Sequence, residues 1–410
     1  MNELYRLFVG IDWAKDEHMI CVLDSDRKQI ASSVFKHSGD GLRQLAELLS
    51  RLSHNHPEYV AVSIETPRGA VVETLEERGF AVYSLNPKQM DRFRDRFSVA
   101  GAKDDRLDAL VLADALRTDR HLFRRVQLGD PLLIRIRELS RTEEAIQHDQ
   151  IRVANQLGDL LNRYYPQALG LCPAADEVWI WDLIEMAPLP AKAAKLSKSK
   201  LEKLLISNRI RRMDAESLQQ ALRSPELKLA PGAAEAASEH ALLLIPILRL
   251  LSKQKKDIER RIAALLEEMS TEGEFSEHRD VIVLLSLPGV GRVVGATMLA
   301  EASQLLTERD YQGLRHYAGT APITRSSGKS KSVIMRRSCN ERLREALFHW
   351  SRTSVRNDER SKAHYAELRA KGHRHGRALR GVADRLLAVL VAMLASGTTY
   401  NPARRIATTQ

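Results

Sequence analysis

Cysteine is scarce in this sequence, and its scarcity argues against two kinds of stabilising site. The 410 residues contain three cysteines, Cys21, Cys172 and Cys339, which stand far apart and form no Cys-x-x-Cys pair. Neither a disulfide framework nor a zinc site is therefore indicated. Such usage is typical of a protein that works in the reducing environment of the cytosol.

Long apolar runs are also missing. The sequence has no run of 18 apolar residues, and its start, MNELYRLFVGIDWAK, lacks the basic segment and apolar run of a secretory signal. We therefore expect a cytoplasmic protein that neither is secreted nor crosses a membrane. Its length is sufficient for two or three domains, each with its own hydrophobic core.

Positive charge is in excess and is concentrated in one region. The chain has 63 Lys and Arg against 53 Asp and Glu, a net charge of +10. Residues 321–380 contain 16 Lys and Arg but 5 Asp and Glu, a surplus of 11 that exceeds the net charge of the whole chain. This surplus favours a surface that binds nucleic-acid backbones, and a solvated helical face is the alternative.

Short apolar runs separated by turn residues predict a mixed α/β sheet in the first hundred residues. The runs LYRLFVGID, MICVLDSD and KQIASSVF are typical of three neighbouring strands, with SDRK as a hairpin turn. YVAVSIE and AVYSLN predict two further strands, and GDGLRQLAELLSRL and AVVETLEERG predict helices between them. Strands followed by strand–helix alternation indicate the α/β class.

From Pro131 the pattern becomes helical. Apolar residues recur every seven positions in two stretches, first at Leu132, Leu139, Ile146, Val153 and Leu160, then at Leu244, Leu251, Ile258 and Leu265. Two long helices that pair as an antiparallel coiled coil, or that belong to an ordinary helical bundle, both fit this spacing. The sequence of residues 167–240, which lie between the two stretches, predicts an inserted helical lobe.

Acidic residues follow both strands of the buried type. Asp12 comes directly after LFVGI, Glu65 ends YVAVSIE, and KDDRLDALVLADAL supplies Asp105 and Asp108 on one face of a helix. Each acid alone could be a turn residue or a helix cap. Four carboxylates at one site would repel each other without a hard cation, so together they favour a site for Mg²⁺ or Mn²⁺.

Two positions next to Asp12 distinguish this acidic pattern from the patterns of related folds. Proofreading exonucleases carry Asp-x-Glu on the first strand, but position 14 is Ala14. Actin-like and sugar-kinase folds need a glycine after Gly-Ile-Asp, and Trp13 stands there. The order of Asp, Glu and Asp-x-x-Asp instead resembles the RNase H-like fold of RuvC-type Holliday-junction resolvases.

Two motifs stand in the C-terminal third. The segment VLLSLPGVGRVVGATMLAE resembles a helix-hairpin-helix element, in which Gly289 and Gly291 would bring backbone N–H groups to a phosphate, or it is a plain turn. The segment AGTAPITRSSGKSKS predicts an exposed loop rich in serine and lysine. It is not a Walker A loop, because the first glycine of that motif would fall at Ile323.

Taken in order, GIDWAK, IET, KDDRLDA, LPGVG, YAGTAPITRSSGKS and LREALF resemble the DEDD transposases of insertion-sequence family 110, relatives of the Piv-type DNA invertases. The resemblance runs from about residue 7 to about residue 400 and is weakest over residues 167–240. The family pattern Lys-Thr-Asp-x-x-Asp-Ala is altered here, because Asp104 replaces the threonine. Asp105 and Asp108 match the two acids of that pattern.

The resemblance implies three parts and a site in two of them. A RuvC-like domain over residues 1–127 would bind Mg²⁺ or Mn²⁺ through Asp12, Glu65, Asp105 and Asp108. A coiled-coil linker over 128–275 would contain the lobe, and a mainly α-helical transposase domain over 276–410 would hold a nucleophilic serine. That serine precedes a glycine after a Gly-x-x-Pro segment, which assigns it to Ser327, with Ser326 as the second choice.

The resemblance also implies partners. The chain would cut and rejoin donor and target DNA through a phosphoserine linkage, guided by a structured RNA from the element itself, as a dimer or tetramer associated with the bacterial nucleoid. The nearest candidates for cations that bind the reacting phosphate are Lys329, Lys331, Arg336 and Arg337, and non-catalytic neutralisation of nucleic-acid backbones is the alternative role for them. The alternatives are a metal-dependent junction nuclease in which water attacks, and an inactive scaffold that binds nucleic acid.

Overall fold

A computed structural model of the chain describes residues 5–85, 87–96, 104–126, 130–271, 276–327 and 330–402. The chain divides into two units, residues 1–130 and residues 131–410. The side chains of residues 87, 88, 271, 276–279 and 330 lie outside the described part.

Unit 1 is built on a six-stranded sheet with helices on both faces. In chain order its strands and helices are β1 Leu7–Trp13, β2 Glu17–Asp24, β3 Gln29–Lys36, α1 Gly39–Leu52, β4 Val60–Ile64, α2 Ala70–Glu77, β5 Ala81–Ser84, α3 Pro87–Arg94, α4 Asp105–Asp119 and β6 Arg124–Arg125. The strand order is β3-β2-β1-β4-β5-β6, with β1, β4 and β5 mutually parallel and the other pairs antiparallel. The prediction of a mixed α/β sheet is confirmed.

The central strands β1 and β4 are buried over nearly their whole length, because the sheet is covered on both faces. Val9 and Ile11 of β1 contact the core beneath α1 and α2, whereas Phe8 belongs to the core beneath α4. Strand β3 lies at the edge and alternates partly buried with exposed residues. Helix α3 and strand β6 were not predicted from the sequence.

Unit 2 is mainly helical, as predicted. Its helices and strands are α5 Pro131–Tyr164, α6 Pro166–Leu171, α7 Val178–Met186, α8 Pro190–Ala193, α9 Lys198–Ser207, α10 Ala215–Leu222, α11 Ala233–Thr271, α12 Ser276–Leu285, α13 Arg292–Thr307, α14 Tyr311–Tyr317, β7 Ile323–Ser327, β8 Ser330–Ile334, α15 Glu341–Asn357, α16 Glu359–Ala370 and α17 His375–Ser396. None of its helices in the described ranges, nor any in unit 1, has the length and hydropathy of a membrane span.

The two long helices α5 and α11 pack side by side in opposite directions. Residues near the end of α5 share a hydrophobic core with the start of α11, and Leu133 and Ile136 share another with the end of α11. In the first half of α5 the fully buried residues are Leu133, Ile136, Ser140 and Glu143, not the predicted Leu132, Leu139 and Ile146. Helix α13 also packs on the first half of α5. The buried face of α5 is therefore rotated away from the predicted apolar stripe.

The second of those cores continues into the C-terminal helices. It joins the start of α5 and the end of α11 to residues of α12, α13, α15 and α17. The helices α6–α10 of the predicted lobe form a different core with the other ends of α5 and α11. The division of the chain at residues 127 and 275 stays a prediction.

Candidate functional site

Asp12 and Glu65 lie at the same end of two adjacent parallel strands. Strands β1 and β4 are paired in register from Leu7 and Val60 to Ile11 and Ile64. Asp12 and Glu65 are the next residues on the two strands, where neighbouring chains are about 4.8 Å apart. Asp12 is half-buried and Glu65 is exposed. The carboxyl ends of the two strands therefore form an acidic edge, as the sequence predicts.

Helix α4 brings two more acids to this edge. A Cβ on Gly10 would lie 1.9 Å from the carbonyl oxygen of Ala109 and 2.5 Å from the amide nitrogen of Ala113, so α4 rests directly on β1. Phe8, earlier in β1, packs with Leu116, later in α4, and the helix therefore runs antiparallel to the strand. The first turn of α4 thus faces the end of β1 that carries Asp12.

The acids at the start of α4 have different surroundings. Asp104 is the N-cap, because its carboxylate accepts a hydrogen bond from the amide of Arg106 at 3.1 Å. Asp105 is exposed, whereas Asp108 is buried. The carboxylate that replaces the threonine of the family pattern thus caps the helix, and the cap is a different residue from Asp105 and Asp108 in the first turn.

Asp108 is bound by an arginine that the sequence did not single out. Arg94 of α3 donates from Nε to one oxygen of Asp108 at 2.7 Å and from Nη2 to the other at 3.0 Å. This hydrogen bonding raises the pKa of the Arg94 guanidinium, and the nearby charges of Asp91 and Glu65 act in the same direction. Arg94 is therefore paired directly with Asp108 and also feels the charge of Glu65, which follows β4.

The donor set at this edge suits a hard divalent cation. All the side chains are carboxylates from three different elements, which is the chemistry that Mg²⁺ and Mn²⁺ prefer. Within the described ranges, no three of these acids have carboxylate oxygens within 4.8 Å of one another. The described residues whose possible ligand atoms do lie that close are in unit 2: the sulfur of Cys172 and carboxylate oxygens of Asp176 and Glu177. Glu177 of that group already accepts hydrogen bonds from Arg212 and Trp179.

The segment predicted as a loop is a β-hairpin. Strands β7 and β8 are antiparallel, with Arg325 opposite Ser332, Ser326 opposite Lys331 and Ser327 opposite Ser330. Ser326 and Ser327 are both exposed. Because alternate residues of a strand point to opposite faces, Ser327 shares a face with Arg325, whereas Ser326 shares a face with Lys331. The hairpin thus gives the two candidate serines different cationic neighbours.

The predicted phosphate-binding cations follow the hairpin. Lys331 is exposed on β8, and Arg336 and Arg337 lie directly after it, where their carbonyl oxygens accept hydrogen bonds from Arg344 of α15 at 3.0 and 2.9 Å. Lys329 lies outside the described residues. Arg344 therefore ties the segment after β8 to α15, a role that no sequence pattern indicates.

The turn at Pro288 is held by packing. Gly289 has φ +82°, and a Cβ there would lie 2.6 Å from Oγ and 2.9 Å from the amide nitrogen of Ser354. Pro288 accepts hydrogen bonds from Trp350 Nε1 and Ser354 Oγ. This glycine is thus required for the contact with α15. Gly291 is the N-cap of α13 and has open space around its α-carbon, so a phosphate contact there stays a prediction.

The chain matches two family models. The DEDD transposase model of IS110, described as "Transposase", matches residues 9–166, and the model described as "Transposase IS116/IS110/IS902 family" matches residues 281–366. The first covers the acidic edge and the second covers the hairpin. The DEDD domain is RNase H-like, in agreement with the sheet of unit 1.

Curated relatives have names of the same kind. The "Mini-circle putative transposase for IS117" of Streptomyces coelicolor is 33% identical over 392 residues, which are 94% of this chain and 92% of the relative. The "Putative transposase y4uE" of Sinorhizobium fredii is 44% identical over 216 residues, so the match spans 52% of this chain and 60% of that protein. An "uncharacterized 43.6 kDa protein" of insertion element IS110 from Streptomyces coelicolor is 28% identical over 407 residues, which are 96% of this chain and 95% of the relative.

Proposed function

The chain belongs to the transposase family of the insertion sequences IS116, IS110 and IS902, and from this premise we propose that it cuts and rejoins DNA through a covalent phosphoserine intermediate. Ser327 is the nucleophile of this proposal. Its oxygen attacks the phosphorus, the bond between phosphorus and one deoxyribose oxygen breaks, and that oxygen leaves as a hydroxyl. Because the phosphodiester bond is exchanged and not hydrolysed, attack by a hydroxyl on the phosphoserine can rejoin a strand without ATP.

The observation that carries this proposal is the position of Ser327. It is the last residue of β7 at the exposed end of a hairpin, where a bulky DNA backbone can reach it. Arg325 lies on the same face, two residues away. A serine hydroxyl is a weak nucleophile, and a cation beside the phosphate stabilises the charge that develops on its oxygens.

We propose that Asp12, Glu65, Asp105 and Asp108 would hold Mg²⁺ or Mn²⁺. A bound divalent cation would withdraw charge from phosphate oxygens and orient the strand. The chain's own part is to hold the carboxylates at one edge, through the pairing of β1 with β4 and the contact of Gly10 with α4. Arg94 neutralises Asp108 in the absence of a cation.

We further propose a guide RNA encoded by the element, which pairs with donor and target DNA, and a homodimer or homotetramer acting at the nucleoid. The surplus of positive charge in residues 321–380 supports contact with nucleic-acid backbones. Purification of the chain from its host, followed by sequencing of the bound RNA, tests the guide. A discrete structured RNA is expected, and a random mixture of cellular RNA would contradict it.

Trapping the intermediate tests the nucleophile. The complex is incubated with DNA that carries the ends of the insertion sequence, then denatured, and the protein–DNA adduct is measured. Ser327→Ala should abolish the adduct, whereas the matched variant Ser326→Ala should keep it. A normal yield of adduct with Ser327→Ala would overturn the assignment.

The same assay separates the alternatives. Strand cleavage that needs Mg²⁺ and Asp12 but gives no adduct, and that persists in Ser327→Ala, would indicate a metal-dependent nuclease in which water attacks. DNA binding that persists in EDTA, without strand transfer when Mg²⁺ is added, would indicate a binding scaffold.

A further inference from the structure

A cavity of about 420 Å³ lies at the base of the β7–β8 hairpin. Its walls come from four segments of unit 2: Ala318–Thr320 before β7, Met335 after β8, the first half of α15, and α17 around Arg380. Ligand sites of about 300–1,000 Å³ hold small organic molecules. The cavity is therefore large enough for a group the size of a nucleotide, and both strands of the hairpin start or end beside it.

The interior of this cavity is apolar and its rim carries exposed apolar side chains. Leu347, Leu379 and Ala383 form buried wall positions. Met335 and Phe348 line the same cavity although 40% and 39% of their surfaces are exposed. An aromatic ring and a thioether left open to solvent beside an apolar wall offer a surface on which a nucleic-acid base can stack.

Two arginines face the cavity and neither forms an ion pair with any described residue. Arg344 binds two backbone carbonyls through Nη2, and its Nε is buried without a hydrogen-bond partner in the described part of the chain. Arg380 has no hydrogen bond or salt bridge to a described residue. Burial lowers the pKa of Arg380, and the positive charges of Arg344 and Arg377 lower it further.

The carboxylates of the cavity do not neutralise these cations. Glu341 and Glu345 of α15 also line it, but neither lies within ion-pair distance of Arg344 or Arg380 in the described structure. Glu345 is instead 3.8 Å from His349. Partly buried cations without a counter-ion destabilise the folded state. They therefore indicate a site where an anion would bind.

We infer that this cavity binds one unstacked nucleotide of the DNA strand, with its base against Phe348 and Met335 and its phosphate at Arg380 and Arg344. The inference rests on the proposed function, since it gives the strand attacked by Ser327 a second point of attachment. From Ile323 to Ser327 the strand β7 rises about 13 Å, at about 3.3 Å per residue. That span equals roughly four nucleotides at 3.4 Å per stacked step.

Fluorescence of 2-aminopurine in the full-length protein tests the inference. The probe is an adenine-rich single-stranded DNA with 2-aminopurine at intervals, which is quenched by stacking in the free strand. Binding of the wild-type chain should raise the fluorescence, because one base leaves the stack. Arg380→Ala and Phe348→Ala should remove this rise. Arg385→Ala, an exposed arginine of the same helix outside the cavity lining, is the matched control and should retain it.

Affinity gives a second readout. Phe348→Ala should weaken binding at least about fivefold, the lower limit for loss of one base–aromatic stack. Arg380→Ala should lower the slope of log affinity against log salt by about 0.7, the value for one phosphate contact of a single strand. Phe348 is exposed, so its removal leaves the fold intact even if Arg380→Ala does not.

The outcomes are distinct from those of the adduct assay. Unchanged fluorescence and affinity in both cavity variants would overturn the inference and leave the role of Ser327 untouched. Loss of the signal in these variants, together with a wild-type chain that forms no adduct, would support the cavity and reject the proposed nucleophile. A fluorescence rise only with an RNA strand of the same sequence would assign the cavity to RNA and overturn the inference as stated.

Discussion

Arg94 and Asp108 form a two-point ion pair, with Nε and Nη2 of the arginine each donating to a different carboxylate oxygen. The Asp108 side chain is 5% exposed, whereas that of Arg94 is 26% exposed. A buried carboxylate needs a compensating positive charge. Two can serve at this place: the guanidinium, or the divalent cation proposed for the acidic edge.

Arg94→Ala should therefore change metal binding and stability in opposite directions. Without a divalent cation, the free energy of unfolding of unit 1 should decrease by about 1–3 kcal/mol. This is less than for a fully buried pair, because Arg94 is partly solvated. Titration calorimetry with Mn²⁺ should show tighter binding than in the wild type. Arg92→Ala removes an exposed charge from the same helix and should change neither quantity. Weaker Mn²⁺ binding in Arg94→Ala would reject the competition.

Gly10→Ala should displace α4 from β1. The added Cβ would collide with backbone atoms of Ala109 and Ala113, which cannot rotate away as a side chain can. We expect a destabilisation of about 3 kcal/mol or more and faster hydrogen–deuterium exchange in peptides of β1 and α4. Gly39→Ala has nothing within 4 Å of its new Cβ and serves as the control. Wild-type exchange in Gly10→Ala would contradict the close contact.

Arg325→Ala should slow adduct formation more than Lys331→Ala does. The pairing of β7 with β8 puts Arg325 on the face of Ser327 and Lys331 on the face of Ser326. Loss of a cation beside the reacting phosphate should lower the rate of attack roughly tenfold or more. The rate of adduct formation under single-turnover conditions measures this decrease. A larger effect of Lys331→Ala would favour Ser326 as the nucleophile.

His18 should make unit 1 less stable in mild acid. It is fully buried, its Nε2 lies 2.8 Å from Nδ1 of His37, and burial and then His37 lower its pKa from 6.5. The unfolded chain therefore binds the proton more strongly, so stability is complete above about pH 6.5 and falls as the pH decreases below it. Calorimetric scans from about pH 8 to 5 should show a smaller decrease for His18→Gln. An equal decrease would exclude this histidine as the cause.

Glu301→Gln should loosen the junction of α5, α13 and α15. The buried Glu301 accepts hydrogen bonds from Asn340 at 2.8 Å, from Arg141 at 3.3 Å and from Arg342. Burial acts to raise the pKa of Glu301, but these three groups together hold it below its ordinary value. Neutralisation should lower the free energy of unfolding by about 2–4 kcal/mol, because Arg141 and Arg342 lose their buried carboxylate partner and keep only the more exposed Glu138 and Glu144. Glu308→Gln, at the exposed C-cap of α13, should leave the stability unchanged in thermal scans of both variants.

The sequence was sufficient for features that depend on local pattern. The strands of unit 1 follow from apolar runs, and Asp12 and Glu65 follow from their positions after two of those runs. Arg94 could not be predicted, because its partner lies 14 residues away on another helix and arginines are common in this chain. The β7–β8 hairpin was missed for a related reason. Its central residues, from Thr324 to Ser332, are polar, so no alternation of apolar and polar residues indicates strands there.

The separation of the acids from the serine along the chain also sets an order in time. All four carboxylates of the acidic edge lie within the first 108 residues, whereas Ser327 stands in the C-terminal part of the chain. Ribosomes add about 5–20 residues per second, so roughly 10 s or more passes between synthesis of Asp108 and synthesis of the serine. A nascent chain can therefore fold its acidic edge well before it has the proposed nucleophile, and a prematurely terminated chain would lack the group that attacks DNA.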